Sequence, residues 1–220
     1  MKQNVTRRHF LATAGVAALG AGVAKAAEGT GKPVKIIGVS CSSRKGMTTA
    51  KAVQAALDAA QGADPRITVE LIDLGGLSIA GYSPQPPQDD FTAILPKLQD
   101  PALGGLIIGS PAYFRGMSAL CKAFIERCAP LREPKMLLAN KPVGVVAVGA
   151  FRNGGQEMTI EQIQAAMLCF GMIVVGGNAP AFQGATVLST KDDISADTLG
   201  LDTAKKLGAH MAEMALKLGI

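Results

Sequence analysis

The chain has 220 residues, 48% of them hydrophobic, with 26 Gly, no Trp, and 22 Lys plus Arg against 17 Asp plus Glu. Lys2, Arg7, Arg8 and Lys25 fall in the first 26 residues, which contain no acid, so the remaining 194 residues carry 18 cations against 17 acids and a net charge near +1. That balance argues against a nucleic-acid or anionic-membrane surface, and the length suits one domain with a sizeable core.

The first 26 residues read as a removable signal. Paired arginines in Thr6-Arg7-Arg8-His9-Phe10-Leu11 precede a weakly apolar Ala/Gly stretch too short to span a bilayer, and Ala24-Lys25-Ala26 supplies an A-x-A cleavage site. The expectation is twin-arginine export to the periplasm, with residues 1–26 as leader, residues 27–220 as one domain, and no stable membrane insertion once the leader is removed. Cys41, Cys121, Cys128 and Cys169 lack C-x-x-C or zinc spacing and read as small buried residues. His210 is the only histidine beyond the leader. A metal site and Ser-His or Cys-His catalysis are therefore not expected.

Beyond the leader, apolar runs alternate with helical periodicities. A short Val/Ile-rich apolar run opening at Val34 reads as a buried strand and 46–61 as an Ala-rich helix. A second strand is predicted at 68–74, then a turn-rich loop, with Asp89 capping a short helix. Residues 105–112 form a fully apolar strand, and Ser118 caps a helix to about Arg127. Strands are predicted at 142–148 and 172–175, a helix at 158–170, an irregular stretch at 178–191 and a closing amphipathic helix at 196–218. Five buried-type strands alternating with helices imply an α/β fold with a doubly wound parallel sheet. Such sheets bind ligands beyond the carboxyl ends of their strands, so the loops after strands one, three and four should converge.

Those three loops hold the unusual residues. The first supplies the hydroxyls of Ser40, Ser42, Ser43, Thr48 and Thr49, the cation of Arg44, and the unpaired N–H groups of a helix start, a combination suited to a phosphate. The second places Pro111, Ala112, Tyr113, Phe114 and Gly116 where a flat ring could lie. The third, with Gly149, Ala150, Arg152, Gly154 and Gly155, offers bare backbone to the polar edge of a heterocycle. A phosphate pocket joined to a planar pocket, with no G-x-G-x-x-G and no second phosphate loop, fits FMN better than a dinucleotide.

The motifs carry a resemblance. GVSCSSRKGMTTA looks like the phosphate loop of the NADPH-dependent FMN reductases of the flavodoxin superfamily. GSPAYFRGMSALCKAFIER and FRNGGQE are similar to that family's two further signatures. The iron-sulfur flavoprotein branch is nearest, but residues 82–88 (YSPQPPQ) precede Asp89-Asp90 without that branch's compact cysteine motif.

The resemblance implies a five-stranded flavodoxin-like sheet in the order 2-1-3-4-5, with helices on both faces and no cluster. It also implies a homodimer or homotetramer, in which Tyr82 and the Pro-rich loop are candidates to reach a neighbour. Carried over by residue, Ser40, Ser42, Arg44, Thr48 and Thr49 would hold the FMN phosphate. Pro111 to Phe114 and Gly116 would meet ring and ribityl chain, and Gly149, Ala150, Arg152, Gly154 and Gly155 the ring's other edge. Cys41, Ser43 and Thr48 depart from the family's commoner residues.

Flavin performs its own chemistry, so no protein nucleophile or acid is required. The expected activity is hydride transfer from NAD(P)H through FMN to a small-molecule acceptor such as a quinone or flavin. The alternative is an electron carrier with no nicotinamide substrate, which a net charge near +1 disfavours because a docking face should be strongly acidic. A hydrolase built on Ser40 lacks both the G-x-S-x-G elbow and a base.

Overall fold

A computed structural model describes residues 31–219; the predicted leader lies outside the described residues. Among the described residues six strands, β1 (Val34–Ser40), β2 (Ile67–Asp73), β3 (Leu103–Pro111), β4 (Pro142–Gly149), β5 (Ile173–Val174) and β6 (Ala185–Leu188), are interspersed with five α-helices. These are α1 (Thr48–Ala63), α2 (Phe91–Leu98), α3 (Ala119–Arg127), α4 (Gln156–Leu168) and α5 (Thr198–Lys217). Every strand pairing is parallel, in the order β2-β1-β3-β4-β5. The fold is thus flavodoxin-like, as expected. β3 and β4 are buried at every position, as strands must be when helices cover both faces of a sheet.

The fifth sheet position differs from the expectation. β5 is only two residues long and lies beside Pro142 and Val143, while β6 continues along the same edge beside residues 146–149. The stretch expected to be irregular therefore contains a strand. Four residues are too few to display a period, and the open edge of β4 supplies the pairing that local propensity does not.

Helices α1 and α5 cover one face through Val53, Ala56, Leu57, Leu207 and Met211. Phe91, Phe124, Ile160 and Ile163, from α2, α3 and α4, fill the other. On the α1/α5 face, Gly38 and Gly109 leave room for Val53, and Gly208 meets the backbone of Ala56, so the Ala-rich α1 lies close on the sheet and on α5. This packing is what sets the start of α1 directly against the end of β1.

Two local expectations are refined. The N-cap position of α2 is Asp90, whose side chain makes no capping bond, and the first N–H of the helix is met by Asp89. The Asp89 carboxylate accepts from the N–H groups of Ala80 (2.9 Å) and Phe91 (3.1 Å) and also pairs with the buried Arg127, whose guanidinium requires an anion there. Cys169 is exposed, whereas Cys41, Cys121 and Cys128 are buried as expected. His210 has a structural role, its Nδ1 lying 2.9 Å from the Gly176 carbonyl oxygen.

Candidate functional site

The loop after β1 is held from below by the end of β2. Asp73 accepts from the N–H groups of Gly46 (2.7 Å) and Gly75 (3.1 Å), while Ser42 Oγ accepts from Arg44 N (3.2 Å). Helix α1 then begins without a side-chain cap at Met47 and without an acid in its first turn. α3 and α5 differ, because Ser118 and Asp197 cap them. The uncapped first turn of α1 keeps its N–H groups and its positive dipole end free for an external anion. Thr48 and Thr49 are buried at this helix start. Ser40 lies deeper still, its enclosed Oγ without a hydrogen-bond partner among the described residues.

The loop after β3 is a tight hairpin. Tyr113 and Gly116 exchange backbone hydrogen bonds of 2.9 and 3.0 Å around Phe114 and Arg115, which adopt φ of 50° and 65°. Two consecutive residues with side chains in the left-handed region are strained, and such strain clusters at functional sites. Ser118 ties this loop to the first, donating from Oγ to the Cys41 carbonyl (2.6 Å) while capping α3. Behind them, Ser110 Oγ accepts from Ser118 N (3.0 Å).

Gly155 brings the loop after β4 against this hairpin. It has φ of 97°, and an added Cβ would meet Arg115 Cα at 2.5 Å. The buried Gln156 braces the loop from within, its Nε2 donating to the Phe151 carbonyl oxygen at 2.6 Å. An ion pair sets the position of Arg152. Its guanidinium pairs with the buried carboxylate of Asp197, which also accepts from Leu188 N (2.6 Å) and Gly200 N (3.1 Å). Burial pushes the Asp197 carboxyl up, but Arg152 and these two N–H groups outweigh it and hold it below the usual carboxylate range.

One cleft of about 300 Å³ gathers Arg44 and Thr48 from the first loop, Pro111, Ala112 and Tyr113 from the second, and Gly149 and Ala150 from the third. Ser40, Ser42, Ser43, Thr49, Phe114, Gly116 and Gly154 are not on its wall; Phe114 projects fully into solvent. Arg152 and Gly155 line a neighbouring cleft with Arg115 and Gln156. A fourth loop, between β6 and α5, closes the main cleft with Ser189, Lys191 and Asp192. No motif marks those three residues in the sequence; only the site's position beyond the strand ends could have pointed to them.

Residues 34–187 match the family described as NADPH-dependent FMN reductase. The chain belongs to that family. It is 40% identical over 192 residues to an iron-sulfur flavoprotein of Methanocaldococcus jannaschii, covering 82% of this chain and 97% of the relative. It is 29% identical over 149 residues to the NAD(P)H dehydrogenase (quinone) of Chromohalobacter salexigens, covering 60% and 73% of the two chains. Among solved structures, a flavodoxin, WrbA-like protein from Agrobacterium tumefaciens superposes with a TM-score of 0.57 at 19% identity, covering 84% of this chain and 98% of that one. The protein is accordingly an FMN-dependent flavoprotein oxidoreductase.

The cleft's chemistry fits that cofactor. An uncapped helix start, the Thr48 hydroxyl and two cations, Arg44 and Lys191, suit a phosphate. Tyr113 and the bare backbone of Gly149 and Ala150 suit a flat heterocycle.

Proposed function

We propose that this cleft is the FMN site, with the phosphate held by Arg44, Thr48 and the first turn of α1, and the ring bordered by Pro111, Ala112, Tyr113, Gly149 and Ala150. The observation that carries the reading is the meeting of a phosphate-type half and a planar half in one cleft, built from three loops distant in sequence. Bound FMN supplies the hydride chemistry. The chain's own groups bind and orient: Ser118 fixes the first loop against the second, Gly155 fixes the third against the second, and Asp73 holds the phosphate loop open.

NAD(P)H is the proposed donor, supported by the family's description, and a quinone or free flavin the proposed acceptor, supported by the relation to a quinone dehydrogenase. The absence of cysteine from residues 82–88 supports a flavoprotein without a cluster. The paired arginines of the leader support export by the twin-arginine route, which would carry the folded, cofactor-loaded chain to the periplasm. The exposed Tyr82 beside the Pro-rich loop supports a homodimer or homotetramer. Among the described residues no helix is long and apolar enough to cross a membrane.

Anaerobic mixing of the flavin-loaded protein with NADPH, and separately with NADH, should bleach the visible flavin band with at least one of them. Failure with both would contradict the proposed donor.

A further inference from the structure

The cation assigned to the phosphate is already engaged. Arg44 Nη1 donates to Asp192 Oδ1 at 2.6 Å, across 148 positions of sequence, and the pair is about half exposed (47% and 54%). Asp192 stands on a second strained hairpin. Thr190 and Asp193 exchange backbone bonds of 2.8 and 3.0 Å around Lys191 (φ 50°) and Asp192 (φ 62°), where neither residue is glycine.

Asp193 is turned to its own partners, accepting from the N–H and hydroxyl of Ser195. Asp192 is turned the other way, to Arg44. The hairpin thus presents the Asp192 carboxylate to the same cleft wall that carries Arg44, Thr48 and Lys191.

We propose that Asp192 is a latch that competes with the FMN phosphate for Arg44 and thereby sets how tightly and how long the flavin is held. The proposal rests on the FMN reading of this cleft. An exposed ion pair is weak, so Arg44 can exchange partners at little cost. A phosphate dianion offers a stronger, bidentate partner. Once the phosphate is bound, Asp192 faces it as a like charge and favours its release, while Lys191 on the same turn opposes that repulsion.

Asp192→Asn tests this without disturbing the turn, because Asn tolerates the left-handed region at least as well as Asp. FMN and riboflavin are titrated into flavin-free wild type, D192N, R44Q and the double variant, followed by flavin fluorescence, with thermal melting confirming each fold. D192N should bind FMN about tenfold more tightly and release it more slowly, the combined effect of freeing Arg44 for the phosphate and of removing one like charge near a dianion in a solvated cleft. Riboflavin affinity should not change, and in the R44Q background the gain should shrink to about two- to threefold. Unchanged or weaker FMN binding by D192N, or an equal gain for riboflavin, would overturn the latch while leaving the FMN site standing. No FMN binding by wild type or any variant would overturn the FMN reading and the latch with it.

Discussion

Gly155→Val is expected to abolish flavin retention and to cost about 2–5 kcal/mol of folding stability, combining the penalty for a left-handed side chain with overpacking. Gly155 sits at φ 97° with Arg115 Cα 2.5 Å from where a Cβ would stand. The obstruction is backbone, held in a hairpin closed by the two Tyr113–Gly116 hydrogen bonds, so it cannot rotate away as a side chain could. The loops after β3 and β4 would separate, moving Tyr113 from the Gly149–Ala150 wall and parting the planar half of the cleft. Thermal melting reads the first effect and the FMN-to-protein ratio after gel filtration reads the second. A variant that melts like wild type and keeps its flavin would show that contact between these loops does not shape the site.

The second large effect lies away from the cleft. Arg127→Met should destabilise the protein by about 3–5 kcal/mol, because it leaves the Asp89 carboxylate buried without its cation. The two side chains are 8% and 9% exposed, and Arg127 also lies over the Phe91 ring at 5.1 Å from its centroid. Methionine keeps much of that packing, so the loss reads mainly the charge.

The pH dependence follows from the same contacts. Burial pushes the Asp89 carboxyl up, but the Ala80 N–H, the Arg127 guanidinium and the Phe91 N–H outweigh it and hold it below its ordinary value. Its contribution is therefore complete above the unfolded value of about 4 and is lost as pH falls through the lower folded value. With Arg127 gone, the folded value rises towards the unfolded one, so the acid-induced loss is smaller and the difference between variant and wild type shrinks as pH falls. Urea unfolding from pH 7 down to pH 3 measures both; a variant within about 0.5 kcal/mol of wild type at pH 7 would contradict the account.

Much of this architecture is legible in the chain because buried parallel strands carry an unmistakable composition. β3 and β4 are continuous apolar runs, and Ser118 stands before α3 as a cap should. The convergence of three loops follows from strand order alone. What escapes is set by tertiary contact. β6 is a strand only because β4 has a free edge at residues 146–149. The Lys191–Asp192 turn carries none of the Asn-Gly chemistry that announces such hairpins, so the fourth wall of the cleft is silent in sequence. The motif around Arg152 gives no sign of its pairing with Asp197, an anion 45 positions away. Asp89 meets the first N–H of α2 as a cap does, but its pairing with the buried Arg127 is set by tertiary contact.

The central claim is that one cleft joins a phosphate site at the start of α1 to a planar site on the loops after β3 and β4. Equilibrium titration of flavin-free protein with FMN and with riboflavin tests it most directly. One FMN should bind per chain, with riboflavin bound at least tenfold more weakly because it cannot engage Arg44, Thr48 and the α1 N-terminus. Equal affinity for the two flavins, or no saturable binding of FMN, would contradict it.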